Sequence, residues 1–214
     1  MKSLQRGALI ALEGFDGSGK STLATRLFEL LRAKGVPVLL TREPGDTQVG
    51  KEIRTLLQDN RKSMCAKTEF LLYSADRAQH ITEVVKPALD QGMIVISDRM
   101  ADSSRAYQGY GRGLDLAMIE AITAWAMENV KPDLTIYLAL DAQTALDRIN
   151  ARKEVLTRIE AETKAFYNAV IDGFEKIFAG RADVIRLDAR NEREFLANRA
   201  LEAILDFLKN RNMV

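Results

Sequence analysis

Cysteine is almost missing from this chain: Cys65 is the only one in 214 residues. That excludes an internal disulfide and a cysteine metal quartet, and it suits a reducing compartment. Cys65 itself reads as a helix-flank residue rather than a reactive thiol. Histidine is as scarce, with His80 alone, and a lone histidine on a helix reads as a capping or surface residue. Excess charge of either sign is also lacking, since 31 basic residues face 30 acidic ones for a formal charge of +1. No global field therefore argues for nucleic acid or a membrane surface, and any phosphate recognition has to be local. No apolar run approaches a membrane span, and Met1-Lys2-Ser3-Leu4-Gln5-Arg6 lacks the apolar core of a leader. Repeats, low-complexity tracts and linkers are absent. The expectation is a soluble cytoplasmic protein forming one domain over residues 1–214, long enough to bury about 70% of its unfolded surface.

What is present is concentrated near the start. Gly14-Phe15-Asp16-Gly17-Ser18-Gly19-Lys20-Ser21 has the form G-x-x-x-x-G-K-[ST], preceded by the apolar run Ala8 to Leu12 and followed by helical spacing from Thr22 to Leu31. Strand, glycine turn and helix in that order make a phosphate-binding loop. Glycines let successive N–H groups and the positive end of the next helix point at phosphate oxygens. Lys20 adds a charge toward the β/γ-phosphates, and Ser21 is placed to put its hydroxyl on Mg²⁺.

Further strands are expected at Val38 to Thr41, Met93 to Ser97, Leu134 to Leu140 and Asp183 to Leu187. Helices are expected over Val49 to Leu57, Thr68 to Leu89, Leu114 to Asn129, from Ala142, up to Phe178 and over Glu192 to Leu208. Five strands alternating with helices imply a three-layer α/β/α fold around a five-stranded parallel sheet. The strand ending in Asp98-Arg99 suits an acid that holds the Mg²⁺ shell beside the phosphate loop. Thr41 to Thr47 is either a solvated loop or a ligand loop beyond a strand end. Trp125 reads as a packing residue. Arg148, Arg152, Lys153 and Arg158 gather at a polar break that alone reads as a solvated face.

Taken together, these stretches resemble the thymidylate kinase family, P-loop enzymes that transfer a phosphoryl group from ATP to dTMP, over about Ala8 to Leu208. The motifs that carry the likeness are Glu13 to Thr22, Thr41-Arg42-Glu43-Pro44-Gly45, the run F-L-L-Y-S-A-D-R-A-Q-H from Phe70 to His80, Asp98-Arg99, and Ser103-Ser104 before Ala106-Tyr107-Gln108-Gly109. The resemblance implies that Gly14, Phe15, Asp16, Gly17, Ser18, Gly19, Lys20, Ser21 and Thr22 bind ATP, and that Ser21 and Asp98 hold Mg²⁺. It implies that Asp16 contacts the acceptor sugar and that Arg54 and Arg99 contact its phosphate. Tyr73 would stack on thymine, and Arg77 and Gln108 would bond the base edge. Ser103, Ser104, Glu43 and Pro44 would complete the acceptor pocket, and Tyr107 would crowd the 2′ position. Lys20, Arg99 and Asp16 would be the fixed catalytic groups. Because Gly17 stands where some members carry an arginine, a further arginine would come from a short helical lid at about residues 148–158, with Arg152, Arg158 or Lys153 reaching the phosphates. A homodimer is implied as well, through apolar helix faces such as that of Leu114 to Asn129.

The chain differs from the family pattern at Asp46, Met100, Tyr73, Ala139 and Thr157. A kinase of the same fold for another deoxynucleoside monophosphate, or a nucleotide-binding regulator without turnover, are the competing readings. A cis bond before Pro44 would suit a tight turn at a binding site.

Overall fold

β1 (Ala8–Gly14) is buried along its whole length, and its side chains alternate between two cores. Ala8, Ile10 and Leu12 join Leu27 and Leu31 of α1 (Lys20–Ala33), whereas Leu9 and Ala11 join Ile81, Val85 and Leu89 on the other face. A strand apolar on both faces is what a sheet covered on both sides requires. β2 (Val38–Arg42), β3 (Ile94–Asp98), β4 (Leu134–Ala139) and β5 (Val184–Asp188) complete a five-stranded, all-parallel sheet in the order β2-β3-β1-β4-β5. The expected α/β architecture is therefore found, with strand limits shifted by a residue or two. β1 lies at the centre, where the connections turn from one side of the sheet to the other, and such a switch point opens a crevice beyond the carboxyl ends of the strands.

The computed structural model describes residues 6–153 and 155–213. The polar N-terminal residues Met1 to Gln5, Glu154 of the expected lid and Val214 lie outside the described residues. The remaining helices are α2 (Gln48–Gln58), α3 (Ala66–His80), α4 (Lys86–Asp90), α5 (Ala101–Ser104), α6 (Leu116–Ala126), α7 (Ala142–Ala151), α8 (Lys164–Phe178) and α9 (Arg193–Asn210). Several starts are fixed by side-chain caps: Thr47 accepts from Gly50 N, Asp141 from Thr144 N and Thr163 from Phe166 N. The helix expected from Thr68 to Leu89 is one continuous helical path in which the π-helical turn Ile81–Val85 joins α3 to α4. Pro87 follows at once, and its missing N–H and bulky ring disfavour an ordinary α-turn ahead of it. A second π-helical stretch, Arg105–Gly111, continues α5. Between α7 and α8 the described residues form turns, so only the start of the expected lid, Arg148 to Ala151, is helical. Among the described residues no helix is long and apolar enough to cross a membrane.

Two expectations are corrected. His80 is fully buried rather than a capping or surface residue, because it sits on the face of α3 that packs over the end of β2 and bonds there to Thr41. Trp125 is 80% exposed rather than a packing residue, because the core-facing positions of α6 are taken by Ile119, Thr123 and Ala126. Cys65 stands at the N-terminal flank of α3, as expected, and is exposed.

The first turn of α2 rests directly on α3. A Cβ on Gly50 would lie 2.4 Å from Asp76 Oδ1 and 2.8 Å from Thr47 Oγ1. Gly50→Ala is expected to cost about 1–3 kcal/mol through overpacking, read as a lowered urea midpoint at unchanged slope; an unchanged midpoint would show the contact to be loose.

Candidate active site

The loop from β1 into α1 lies at the mouth of the crevice. Gly19 is the N-cap of α1 with φ 94°, a left-handed conformation that favours glycine, and it turns the first amides of α1 outward. Lys20 is buried, with Nζ donating to the Phe15 carbonyl at 2.8 Å. Burial and the neighbouring Arg99 guanidinium push the Lys20 ammonium down to about 8, against the pull of Asp16 and Asp98. Beside it, Ser21 Oγ donates to Asp98 Oδ2 at 2.5 Å.

Arg99 is the centre of the site. Its backbone is left-handed, φ 74°, a conformation that costs a non-glycine residue energy. The guanidinium donates to Gly14 O (3.0 Å), Ser103 Oγ (2.8 Å), Asp16 Oδ1 (2.5 Å) and Tyr107 Oη (3.1 Å). Burial works to raise the Asp16 carboxyl, but Arg99 and Lys20 outweigh it and hold the group below its ordinary value. Tyr107 Oη also donates to Asp16 Oδ2, and its ring stacks parallel to Phe15 with centroids 5.7 Å apart. Burial pushes the Tyr107 hydroxyl well up, so it stays a donor.

Behind this hub lies Glu13, fully buried at the end of β1. It accepts from Met100 N (2.9 Å), Ser103 N (3.2 Å) and Ser103 Oγ (2.6 Å), and so ties the phosphate-loop strand to the start of α5. Burial, reinforced by Asp102, pushes its carboxyl up to about 7 despite these donors.

The far end of the crevice is built by β2, α3 and the π-helical stretch after α5. The Glu43–Pro44 peptide is cis, and Pro44 O accepts from Arg54 at 2.8 Å. Burial and Arg42 push the Arg54 guanidinium below its ordinary value, which marks a place short of negative charge. Arg77, almost fully buried, donates to Glu43 (2.8 Å), Ser104 Oγ (3.1 Å) and Met100 O (3.3 Å), and its Nη1 has no partner. Gln108 donates to Glu69 at 2.8 Å. Burial, with Glu69 next, pushes the half-buried Tyr73 hydroxyl up to about 12.

Asp16, Lys20, Ser21, Asp98, Arg99 and Tyr107 line one cleft of about 1060 Å³ together with Glu43, Arg54, Tyr73, Arg77 and Gln108; it also contains Arg148, Arg152 and, at its other end, Asn191 and Arg193. The volume exceeds what one drug-sized ligand fills. The lid arginines diverge. Arg152 lines the cleft and pairs with Glu160, whereas Arg158 is drawn to the buried Glu69 at 2.6 Å. Arg148 bridges Gly17 O (3.2 Å) and Ala189 O (2.9 Å).

Glu13, Glu69 and His80 were given no site role by sequence reading. Glu69, Tyr73, Arg77 and His80 do recur at helical spacing on α3, and that periodicity of polar residues was the available signal. Of the departures from the family pattern, Met100 packs in the core around Ile81 and Val85. Thr157 exchanges bonds with Glu160, its Oγ1 accepting from Glu160 N and its own N donating to Glu160 Oε2, a reciprocal turn closure like a capping box.

The switch-point crevice, the glycine loop opening α1 and the Ser21–Asp98 pair define a P-loop nucleotide-binding protein of the α/β class. Comparison with known proteins narrows this. The family model described as Thymidylate kinase matches residues 12–200. The chain is 46% identical over 191 residues to a thymidylate kinase of Halothermothrix orenii, covering 88% of this chain and 92% of that one. It is 45% identical over 169 residues to that of Carboxydothermus hydrogenoformans (79% and 83% covered) and 43% identical over 192 residues to that of Clavibacter sepedonicus (89% and 91%). The chain belongs to the thymidylate kinase family.

Because folding favours the neutral form of Glu13, its contribution to stability is complete below about pH 4.5 and is lost as pH rises through about 7. Glu13→Gln removes that titration while keeping an acceptor for the two amides. The stability difference, variant minus wild type, is expected to rise by on the order of 2–3 kcal/mol between those pH values. Denaturant titrations at both ends check it, and parallel profiles would contradict it.

Proposed function

We propose that this chain transfers the γ-phosphoryl group of ATP to the phosphate of dTMP, giving dTDP and ADP. The observation that carries the acceptor's identity is Arg77 Nη1, a buried donor without a protein acceptor on a residue that lines the cleft. A base with a carbonyl facing that nitrogen satisfies it, and one presenting an amino group leaves two donors opposed. Gln108 adds the complementary half. Its amide nitrogen is engaged by Glu69, so its carbonyl is the end offered to a ring N–H. Thymine presents its O4 carbonyl and N3–H side by side, whereas cytosine places an amino group and a bare ring nitrogen at those two positions.

The remaining roles are those the family resemblance implies, and they are supported by where the residues lie along the cleft. Gly14 to Thr22 receive the ATP phosphates on backbone amides and the positive end of α1. Lys20 gains its full charge once β/γ-phosphate oxygens approach, since an adjacent anion favours the protonated amine. Arg54 and Arg99 take the dTMP phosphate, Asp16 holds Arg99 and meets the sugar, Tyr73 offers a face to the base, and Tyr107 fills the space of a 2′-hydroxyl. Glu43, Pro44, Ser103 and Ser104 hold these groups in register.

Ser21 and Asp98 present two hard oxygens 2.5 Å apart beside the loop, and among the described residues no larger cluster of metal-ligating side chains occurs. Such a partial shell fits Mg²⁺, which keeps waters and phosphate oxygens as its other ligands. When bound, Mg²⁺ neutralises phosphate charge.

In the reaction an acceptor phosphate oxygen attacks the γ-phosphorus in line as the bond to the ADP oxygen breaks. The chain's own work is positioning and charge neutralisation by Lys20, Arg99 and the helix terminus. Of the lid arginines that line the cleft, Arg148 is bonded to backbone carbonyls and Arg152 is the one that reaches the transferring group, while Arg158 fastens the lid to the acceptor end through Glu69.

Residues 1–214 are read as one catalytic domain working in the cytoplasm, where a lone exposed thiol such as Cys65 persists. They are read also as a homodimer. Support for the dimer comes from exposed apolar side chains on three consecutively packed helices: Val49 and Leu56 on α2, Leu71 on α3, and Leu116, Met118 and Trp125 on α6.

Coupled ADP-release assays with dTMP, dUMP, dCMP, dGMP and UMP are expected to give the fastest turnover with dTMP. Lys20→Ala should lower kcat at least about 100-fold, and Gln108→Ala should cut the preference for dTMP over dCMP about ten-fold or more. No ADP with any acceptor would overturn the proposal. Sedimentation is expected to show a dimer, converted toward monomer by Met118→Lys with Trp125→Lys; a wild-type monomer at tens of micromolar would reject the dimer.

A further inference from the structure

The buried His80 is bonded on both sides. Its Nδ1 lies 3.0 Å from Glu43 Oε1 and its Nε2 lies 2.6 Å from Thr41 Oγ1. Burial works to raise the Glu43 carboxyl, but it accepts from Arg77 at 2.8 Å, and that guanidinium leads the interactions that hold the carboxyl below its ordinary value. It is therefore an acceptor only, and Nδ1 has to donate. Thr41 has a single proton, and its Oγ1 lies 2.6 Å from Oδ2 of Asp46, the exposed residue of the otherwise buried turn after β2. That proton goes to Asp46, so Thr41 can only accept from His80, and Nε2 has to donate as well. A neutral imidazole, with one donor and one acceptor, would leave one of these close contacts with no proton between its two heavy atoms.

We propose that His80 is held as an imidazolium by Asp46, acting through Thr41, and that in this form it is the positioning residue for Glu43 and Arg77. The charges around it agree. From the loop after β2 come Glu43 and Asp46. From α3 itself come Arg77 and Asp76, whose Oδ1 accepts from Gly45 N at 2.9 Å while Oδ2 has no partner. Three carboxyls thus face one guanidinium, and a second cation brings the cluster toward balance, which a buried group needs. Burial first, and Glu43 next, push the Asp76 carboxyl up to about 6. A chain of bonds then runs from the protein surface to the acceptor site: Asp46 orients Thr41, Thr41 and Glu43 clamp His80, and Glu43 holds Arg77 with Nη1 free for the base. Asp46 is outside the residues that line the cleft, so it acts only through these neighbours. The link from Arg77 to the base rests on the function proposed above.

Because the chain contains one histidine, its imidazole nitrogens are unambiguous in a ¹H–¹⁵N spectrum of the whole protein without nucleotide. At about pH 7.5, where an ordinary histidine is mostly neutral, both nitrogens are expected to be of the protonated type. Asp46→Ala frees the Thr41 proton to turn toward Nε2, and is expected to convert the ring to one protonated and one bare nitrogen. KM for dTMP should rise about five- to ten-fold, with kcat changed less than about two-fold. Asp46→Asn, whose amide oxygen still accepts from Thr41, should restore the two-donor pattern and the wild-type KM. A bare nitrogen in the wild type overturns the proposal, and so does an Asp46→Ala protein that keeps both the two-donor ring and its KM. The spectral result needs no turnover, so an enzyme silent toward dTMP would refute the functional reading while the protonation state of His80 would still be decided by its own spectrum.

Discussion

Cations gathered to receive two polyanions repel one another, and most of the polar architecture of this protein answers that repulsion. Burial and Arg99 both weaken the proton affinity of Lys20, and Arg42 does the same to Arg54. Each cation is held in place by a partner of limited reach. Asp16 holds Arg99, Glu43 holds Arg77, and Glu69 holds Arg112 and Arg158. A carboxylate that fixes a guanidinium by one edge leaves its other edge usable, so the positive field survives while the side chain loses its freedom. Pre-organised charge of this kind needs no reorientation at the moment of phosphoryl transfer.

The pairings also divide the cleft. Around Arg99 the contacts run to the phosphate loop and α5, and they join the ATP end to the place where the phosphates meet. Around Glu69 they run to Gln108, Arg112 and Arg158, and they join the π-helical stretch after α5 to the segment between α7 and α8. A disturbance of Glu69 would therefore reach Gln108 and the segment between α7 and α8 together, whereas Asp16 is bonded, among the described residues, only to Arg99 and Tyr107.

Much of the frame was legible in the sequence because it depends on short-range pattern. Ala8 to Leu12 and Leu134 to Leu140 read as buried strands from apolar runs alone, and the glycines and Lys20 read as a phosphate loop from spacing. Asp98 and Arg99 gained meaning from that loop, and the structure brings them to it. What escaped depends on pairs far apart in the chain. Glu13 meets Ser103, Glu69 meets Arg112 and His80 meets Thr41, and no local pattern announces such encounters. His80 and Trp125 failed for one reason: side-chain type predicts average burial, and the neighbours of a helix decide the actual face. The lid arginines were recognised as a group, but their division between Glu160 and the buried Glu69 follows from where the fold places those two acids.

The position of β1 also bears on how the molecule comes into being. Ala8 pairs with Ile94 and Ile10 with Leu134, so the strand carrying the phosphate loop is the first to be synthesised and among the last to be flanked. Until the ribosome has passed β4, its apolar residues have no complete sheet to join, and closing such distant contacts is the slow part of folding a parallel sheet. The nucleotide site is thus a late product of translation, assembled from one early segment that waits for two later ones.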